Sequence, residues 1–164
     1  MSLTKVTEQD IESVSNQLGR PARDIVAIAA RCVCGNPVVV QTKPRLEDGT
    51  PFPTVYYLTL PAATSAVSTL EATGLMLELQ NRLAEEPVLA AAYAAAHESY
   101  LADRKLLGEV EEIDGISAGG MPLRVKCLHS LVAHSLAKGP GLNPIGDLAP
   151  VSYTHLTLPT NREV

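Results

Sequence analysis

The sequence is short of the features that mark a compartment or a partner. No apolar run approaches the roughly 18 residues that cross a bilayer, and no charged-then-apolar leader opens the chain. Basic residues are the minority, 13 against 18 acidic ones, and a net charge of −5 argues against a nucleic-acid or anionic-membrane surface. Cysteine occurs only three times. An odd number without an export signal fits a reducing cytoplasm better than a disulfide framework. There is no Walker pattern, no G-x-G-x-x-G following a strand, no internal repeat and no linker. At 164 residues the default is one domain, and a chain of that size buries about two-thirds of its unfolded surface without a disulfide staple. A soluble, acidic, cytoplasmic single domain is expected.

What is present concentrates in Ser117–Gly139, SAGGMPLRVKCLHSLVAHSLAKG. Gly119 and Gly120 break whatever precedes them, Pro122 suits a first helical turn, and Gly139 with Pro140 is a stop signal. The spacing predicts a helix over 122–138. At about 100° per residue, Val125, Leu128, His129, Val132 and Leu136 share one side, with Leu123, Cys127, Ser130, Leu131 and His134 opposite. Apolar on both sides, it is expected to be a buried central helix.

Elsewhere, Thr7 and Asp10 open a short helix that Gly19 stops. Asp24–Cys32 fits helix by its alanines and strand by Ile25, Val26 and Ile28. Cys32 and Cys34 flank a turn before Gly35. Val38–Thr42 and Thr54–Leu60 predict strands paired antiparallel through the proline-rich loop Lys43–Pro53. Three helical pieces follow, over 62–74, 75–83 and from Pro87 to about Leu107, the last with a Tyr93/His97/Tyr100/Arg104 stripe. The segment GPGLNPIGD reads as turn chemistry. Together these give an α+β fold: a small antiparallel sheet of two or three strands covered by about five helices. The domain spans 1–150. Residues 151–164 (VSYTHLTLPTNREV) resemble the translation of a sequencing adapter and are read as a non-native tail, which removes His155 from the candidate ligands.

RCVCGNPVV, DGTPFPTVYYLT, AAYAAAHESYLADR and SAGGMPLRVKCLHSLVAHSLAKGPGLNPIGD resemble an uncharacterised bacterial family, domain of unknown function 501, in its actinobacterial form. The likeness covers nearly all of residues 5–149 and implies no activity. The family segment ends Leu-Thr-Cys-Pro where this chain has Leu60 before Pro61. A site using that cysteine in relatives would lack one ligand here.

Cys32, Cys34 and Cys127 suggest a thiolate-rich zinc site, completed by His97, His134 or water. In a regular helix Cys127 and His129 point about 160° apart, and Cys127 and His134 lie ~10.5 Å apart along the axis. The same geometry denies Cys127 a helical base and leaves only His97, through tertiary contact, so a cysteine nucleophile is disfavoured; His129, on the face with Val125, Val132 and Leu136, reads as a core histidine. Gly119, Gly120, Arg124 and Lys126 offer an alternative: a glycine loop at a helix start that binds a phosphate-bearing small molecule. Phe52, the only phenylalanine, sits between prolines, where it caps the core or docks a protein partner. The expectation is a metal-binding or protein-interaction module, with an enzyme or sensor of phosphate-bearing molecules as the alternative.

Overall fold

The structure, a computed structural model, describes residues 3–151. Its elements run β1 (Thr4–Lys5), α1 (Glu8–Leu18), β2 (Ile25–Arg31), β3 (Pro37–Thr42), β4 (Tyr56–Leu58), α2 (Pro61–Ala72), α3 (Leu75–Glu85), α4 (Pro87–Leu107), α5 (Leu128–Lys138) and α6 (Pro144–Val151). The four strands form one antiparallel sheet in the order β1-β2-β3-β4. The α+β class is as expected, but the sheet has four strands rather than two or three. Two causes account for the difference. β1 is too short to leave a pattern, and β2 spends its alanines on close packing, so that Ala27 to Ala30 are all buried. Tertiary burial decides an alanine-rich segment that local propensity leaves open. β3 and β4 pair as anticipated, Val39 opposite Leu58 and Val40 opposite Tyr57. Residues 152–164, including most of the presumed non-native tail, lie outside the described residues.

The sheet carries a core on each face. The larger one joins Val38, Val39, Val55 and Leu58 to buried residues of α2 through α6. The smaller holds Val14, Ile28 and Val40, with Leu18, Ile25 and Tyr57 at its margin. α1 covers that second face. Its start is the capping box read from the sequence: the Thr7 amide donates to Asp10 Oδ2 (3.0 Å) and the Asp10 amide to Thr7 Oγ1 (3.1 Å). Asp10 also takes a two-pronged pair from Arg31 of β2, at 2.7 and 2.8 Å, which holds its carboxyl well below the usual range.

The α4 stripe faces inward along its whole length: Tyr93, His97, Tyr100 and Arg104 are buried. Each is tied to a neighbouring loop or strand. Tyr93 Oη donates to the Arg124 carbonyl (2.8 Å), and Tyr100 Oη accepts from the Val55 amide (2.7 Å). Arg104 donates to the carbonyls of Pro53 (3.0 Å) and Ile113 (2.7 Å). Long loops are thus pinned by side chains reaching out of one helix.

α5 is the buried helix, with Leu131 to Ser135 all inside, but it begins at Leu128 and not at Pro122. Residues 119–126 fold into turns closed by the amides of Arg124 on Gly120 and Lys126 on Gly119, both at 2.8 Å, with a cis Met121–Pro122 bond between. The Gln80 side chain then holds the segment extended. Its amide nitrogen donates to the Leu123 carbonyl and its oxygen accepts from the Val125 amide, both at 2.9 Å. These bonds commit to the loop the groups a helix would have used.

A helix, α6, replaces the turn that GPGLNPIGD predicts. Asn143 is its cap, accepting the Gly146 amide on Oδ1 (3.0 Å), and Pro144 is its first residue. Gly146 packs so closely on α5 that a Cβ there would overlap the Leu131 carbonyl and the Ser135 hydroxyl. Gly146→Ala is therefore expected to cost about 2–3 kcal/mol in denaturant unfolding, whereas Gly35→Ala, with open space around it, meets only its backbone penalty of about 1 kcal/mol.

Candidate metal centre

The expected thiolate site does not assemble. Cys32 and Cys34 are joined to each other by a disulfide, so neither offers a thiolate, and the expectation of three unpaired cysteines is corrected. Cys127 is the free one. His97 is buried in α4 with Nδ1 2.8 Å from Ser117 Oγ. His134 lies inside α5, stacked on Tyr56 at 5.8 Å and edge-on to Tyr100 at 4.9 Å. Both histidines are spent on packing and on partners other than Cys127.

His134 shows how completely. Gly146 holds the Asn143 oxygen, which turns the Asn143 amide nitrogen toward His134 Nδ1 at 3.1 Å. Nδ1 must therefore accept, and the proton sits on Nε2, which has no partner among the described residues. Burial pushes the ring down to about 4. The unfolded chain protonates it first, so its contribution to stability is complete above pH 6.5 and is lost as pH falls toward 4. Unfolding free energy is expected to drop across that window by an amount on the order of 3 kcal/mol. A pH series of urea melts checks this, and His134→Phe should flatten the decline.

Cys127 finds different company. It is the residue before α5, in extended conformation (φ −147°, ψ 107°), so the helical 160° separation from His129 does not apply. The backbone bend at the helix start swings Cys127 to the side on which His129 emerges. Glu71, on the last turn of α2, completes a trio whose donor atoms (a carboxylate oxygen, Cys127 Sγ and a His129 ring nitrogen) all lie within 4.8 Å of one another. All three side chains are half-buried.

Each member is held from behind. Glu71 Oε2 accepts the Leu128 amide (2.8 Å), one of the free donors at the start of α5, leaving Oε1 3.2 Å from His129 Nδ1. His129 Nε2 lies 3.1 Å from the Thr64 carbonyl, which can only accept, so Nε2 carries a proton; the Ser68 hydroxyl is 3.2 Å away. Ser130 Oγ donates to the Cys127 sulfur at 3.7 Å. The sulfur beside it, and then the Glu71 carboxylate, raise His129 to about 9 against the opposing effect of burial. The same imidazole draws the Cys127 thiol down.

The sequence reading retained Cys127 and missed both partners. Only a helix that runs through residue 127 would keep His129 away from Cys127, and Cys127 is extended. Glu71 did leave a signal: it shares the apolar side of α2 with Val67 and Leu70, where a carboxylate needs a reason.

The phosphate alternative loses its helix start. Gly119 and Gly120 precede a turn, and the α5 amide at Leu128 already meets Glu71. A Cβ on Gly119 would stand 2.6 Å from Leu131, and one on Gly120 2.7 Å from the Arg124 carbonyl, so these glycines permit close packing. Arg124 and Lys126 are exposed beside them.

A family model described as Protein of unknown function (DUF501) matches residues 28–150. The chain belongs to this family. The match runs from within β2 into α6, and takes in Glu71, Cys127 and His129. No curated protein and no solved structure matches the chain. No helix among the described residues is long and apolar enough to cross a membrane.

Proposed function

We propose that this protein is a metal-binding module in which Glu71 Oε1, Cys127 Sγ and His129 Nδ1 hold a divalent, zinc-like ion. The observation that supports it is the Nε2–Thr64 contact. By keeping the proton on Nε2 it presents Nδ1 as the ligand nitrogen, the arrangement by which metal-binding histidines are commonly oriented. The other two ligands have the same kind of support, Leu128 behind the carboxylate and Ser130 on the sulfur.

Distances agree with the donor set. Zinc bonds of roughly 2.0–2.3 Å in a tetrahedron place ligand atoms about 3.3–3.8 Å apart. Oε1 and Nδ1 stand at 3.2 Å, and a carboxylate oxygen, the sulfur and a ring nitrogen of the trio all lie within 4.8 Å of one another. In the metal-free chain the proton on Nδ1 fills the ion's electrostatic role, which is why His129 is raised and Cys127 lowered together. Three protein ligands and half-exposed side chains leave a fourth position for water or a ligand from another molecule.

Elemental mass spectrometry on the full chain, purified without chelator or histidine tag, tests the reading. Near-stoichiometric zinc or iron is expected, with metal affinity falling at least tenfold in Cys127→Ser and in His129→Ala and less in Glu71→Gln. Chelation should lower the melting temperature of the parent and leave Cys127→Ser unchanged. Protein that takes up no metal and shows no melting shift with added zinc overturns it. The trio would then stand as a thiolate–imidazolium pair, recognisable by rapid alkylation of Cys127 at neutral pH.

A further inference from the structure

The cysteines that left the metal site make a second one. Cys32 follows the last residue of β2 and Cys34 lies in the turn to β3, and their bond closes a ring across a sequence separation of two. Cys32 is half-buried against the larger core, whereas Cys34 is exposed. The hairpin is already held without the bond. The Cys32 amide donates to Asn36 O and the Gly35 amide to Cys32 O, both at 2.9 Å, and Arg31 Nη1 donates to Gly35 O at 3.0 Å. A disulfide stabilises chiefly by restraining the unfolded chain, and so small a ring restrains it least. Stapling the fold is therefore not what this bond is placed to do. Exposure on one sulfur with a fixed, half-buried partner is instead the arrangement of exchangeable disulfides.

We propose that Cys32–Cys34 is an exchange-active disulfide that oxidises dithiols. A substrate thiolate attacks Cys34 Sγ, the exposed sulfur; the Cys32–Cys34 bond breaks, a mixed disulfide forms on Cys34, and Cys32 leaves as thiolate. The second substrate thiol, deprotonated, attacks the substrate sulfur of that mixed disulfide and releases Cys34 as thiolate. Two electrons pass from the substrate to the pair, and the two protons lost by the substrate's thiols go to the new thiolates or to solvent. To restore the bond, the Cys34 thiolate attacks glutathione disulfide and releases one glutathione thiolate; Cys32 then attacks Cys34 Sγ in the mixed disulfide, re-forming Cys32–Cys34 and releasing the second glutathione. The hairpin's backbone bonds keep both sulfurs in place throughout. Val33, between the cysteines and 58% exposed, gives an apolar landing for the substrate chain. Neither cysteine belongs to the Glu71–Cys127–His129 group, so the activity is independent of metal.

The test uses the full chain with chelator present, a synthetic peptide bearing two thiols, and glutathione disulfide. Sub-stoichiometric protein is expected to speed peptide disulfide formation at least fivefold over glutathione disulfide alone, and Cys34→Ser to abolish the gain. Cys32→Ser should accumulate one glutathione on Cys34, read by intact mass and peptide mapping. A gain below fivefold, or an equal gain with Cys34→Ser, overturns the proposal. The parent protein gives a second check in glutathione buffers of graded ratio. The pair should open and close with unchanged circular dichroism, and opening that occurs only with unfolding also overturns it.

Discussion

A buried helix must satisfy its first amides without water, and in this protein that requirement organises everything around α5. Its starting amide, at Leu128, reaches the Glu71 carboxylate of α2. One oxygen is thereby fixed, and the other is left facing His129, the second residue of the helix. The candidate metal centre is thus a by-product of capping. The group that ends the helix's electrostatic problem is the group that orients the ligands. At the other end Lys138 meets Asp103 of α4 at 2.9 Å, and Asp103 in turn accepts the Tyr56 hydroxyl of β4 at 2.7 Å. Sheet, long helix and central helix are joined through that one carboxylate.

The polar side chains inside α5 obey the same constraint. His134 and Ser135 both turn to the Asn143 region, the first through the Asn143 amide and the second through the Asn143 carbonyl at 3.1 Å. α6 is therefore part of the core's hydrogen bonding as well as its packing. Gly146 is the residue that lets it come close enough. Where the two helices touch, backbone meets backbone, and the bonds between them tolerate little movement.

Much of this was legible in the chain. The Thr7/Asp10 capping box, the β3–β4 pairing, the existence of the α4 stripe and the stop at Gly139 follow from local chemistry and period. What escaped depends on side chains acting at a distance. Gln80 extends a segment whose proline and apolar spacing read as helix, and that shift alone moves Cys127 from an α-helical position to one beside His129. Asn143 before Pro144 was a readable cap followed by a first-turn proline, but the neighbouring glycines drew the reading toward turn. The disulfide contradicted an inference from cysteine number and compartment, and two cysteines separated by one residue say nothing in sequence about whether they bond to each other or to an ion.

The two faces of the sheet are unequal, and that inequality sets an order of opening. On one side five helices share a continuous core; on the other a single eleven-residue helix packs its Val14 on Ile28 and Val40 and is latched by Asp10 to Arg31. The matched family segment begins at residue 28, after that helix. Fluctuations that lift α1 from the sheet expose only the small core and break one ion pair. Fluctuations that free α5 must dismantle the large one. The protein is in this sense built as a scaffold with a hinged cover: amides beneath α1 meet solvent through local excursions, while those of α5 wait for global unfolding.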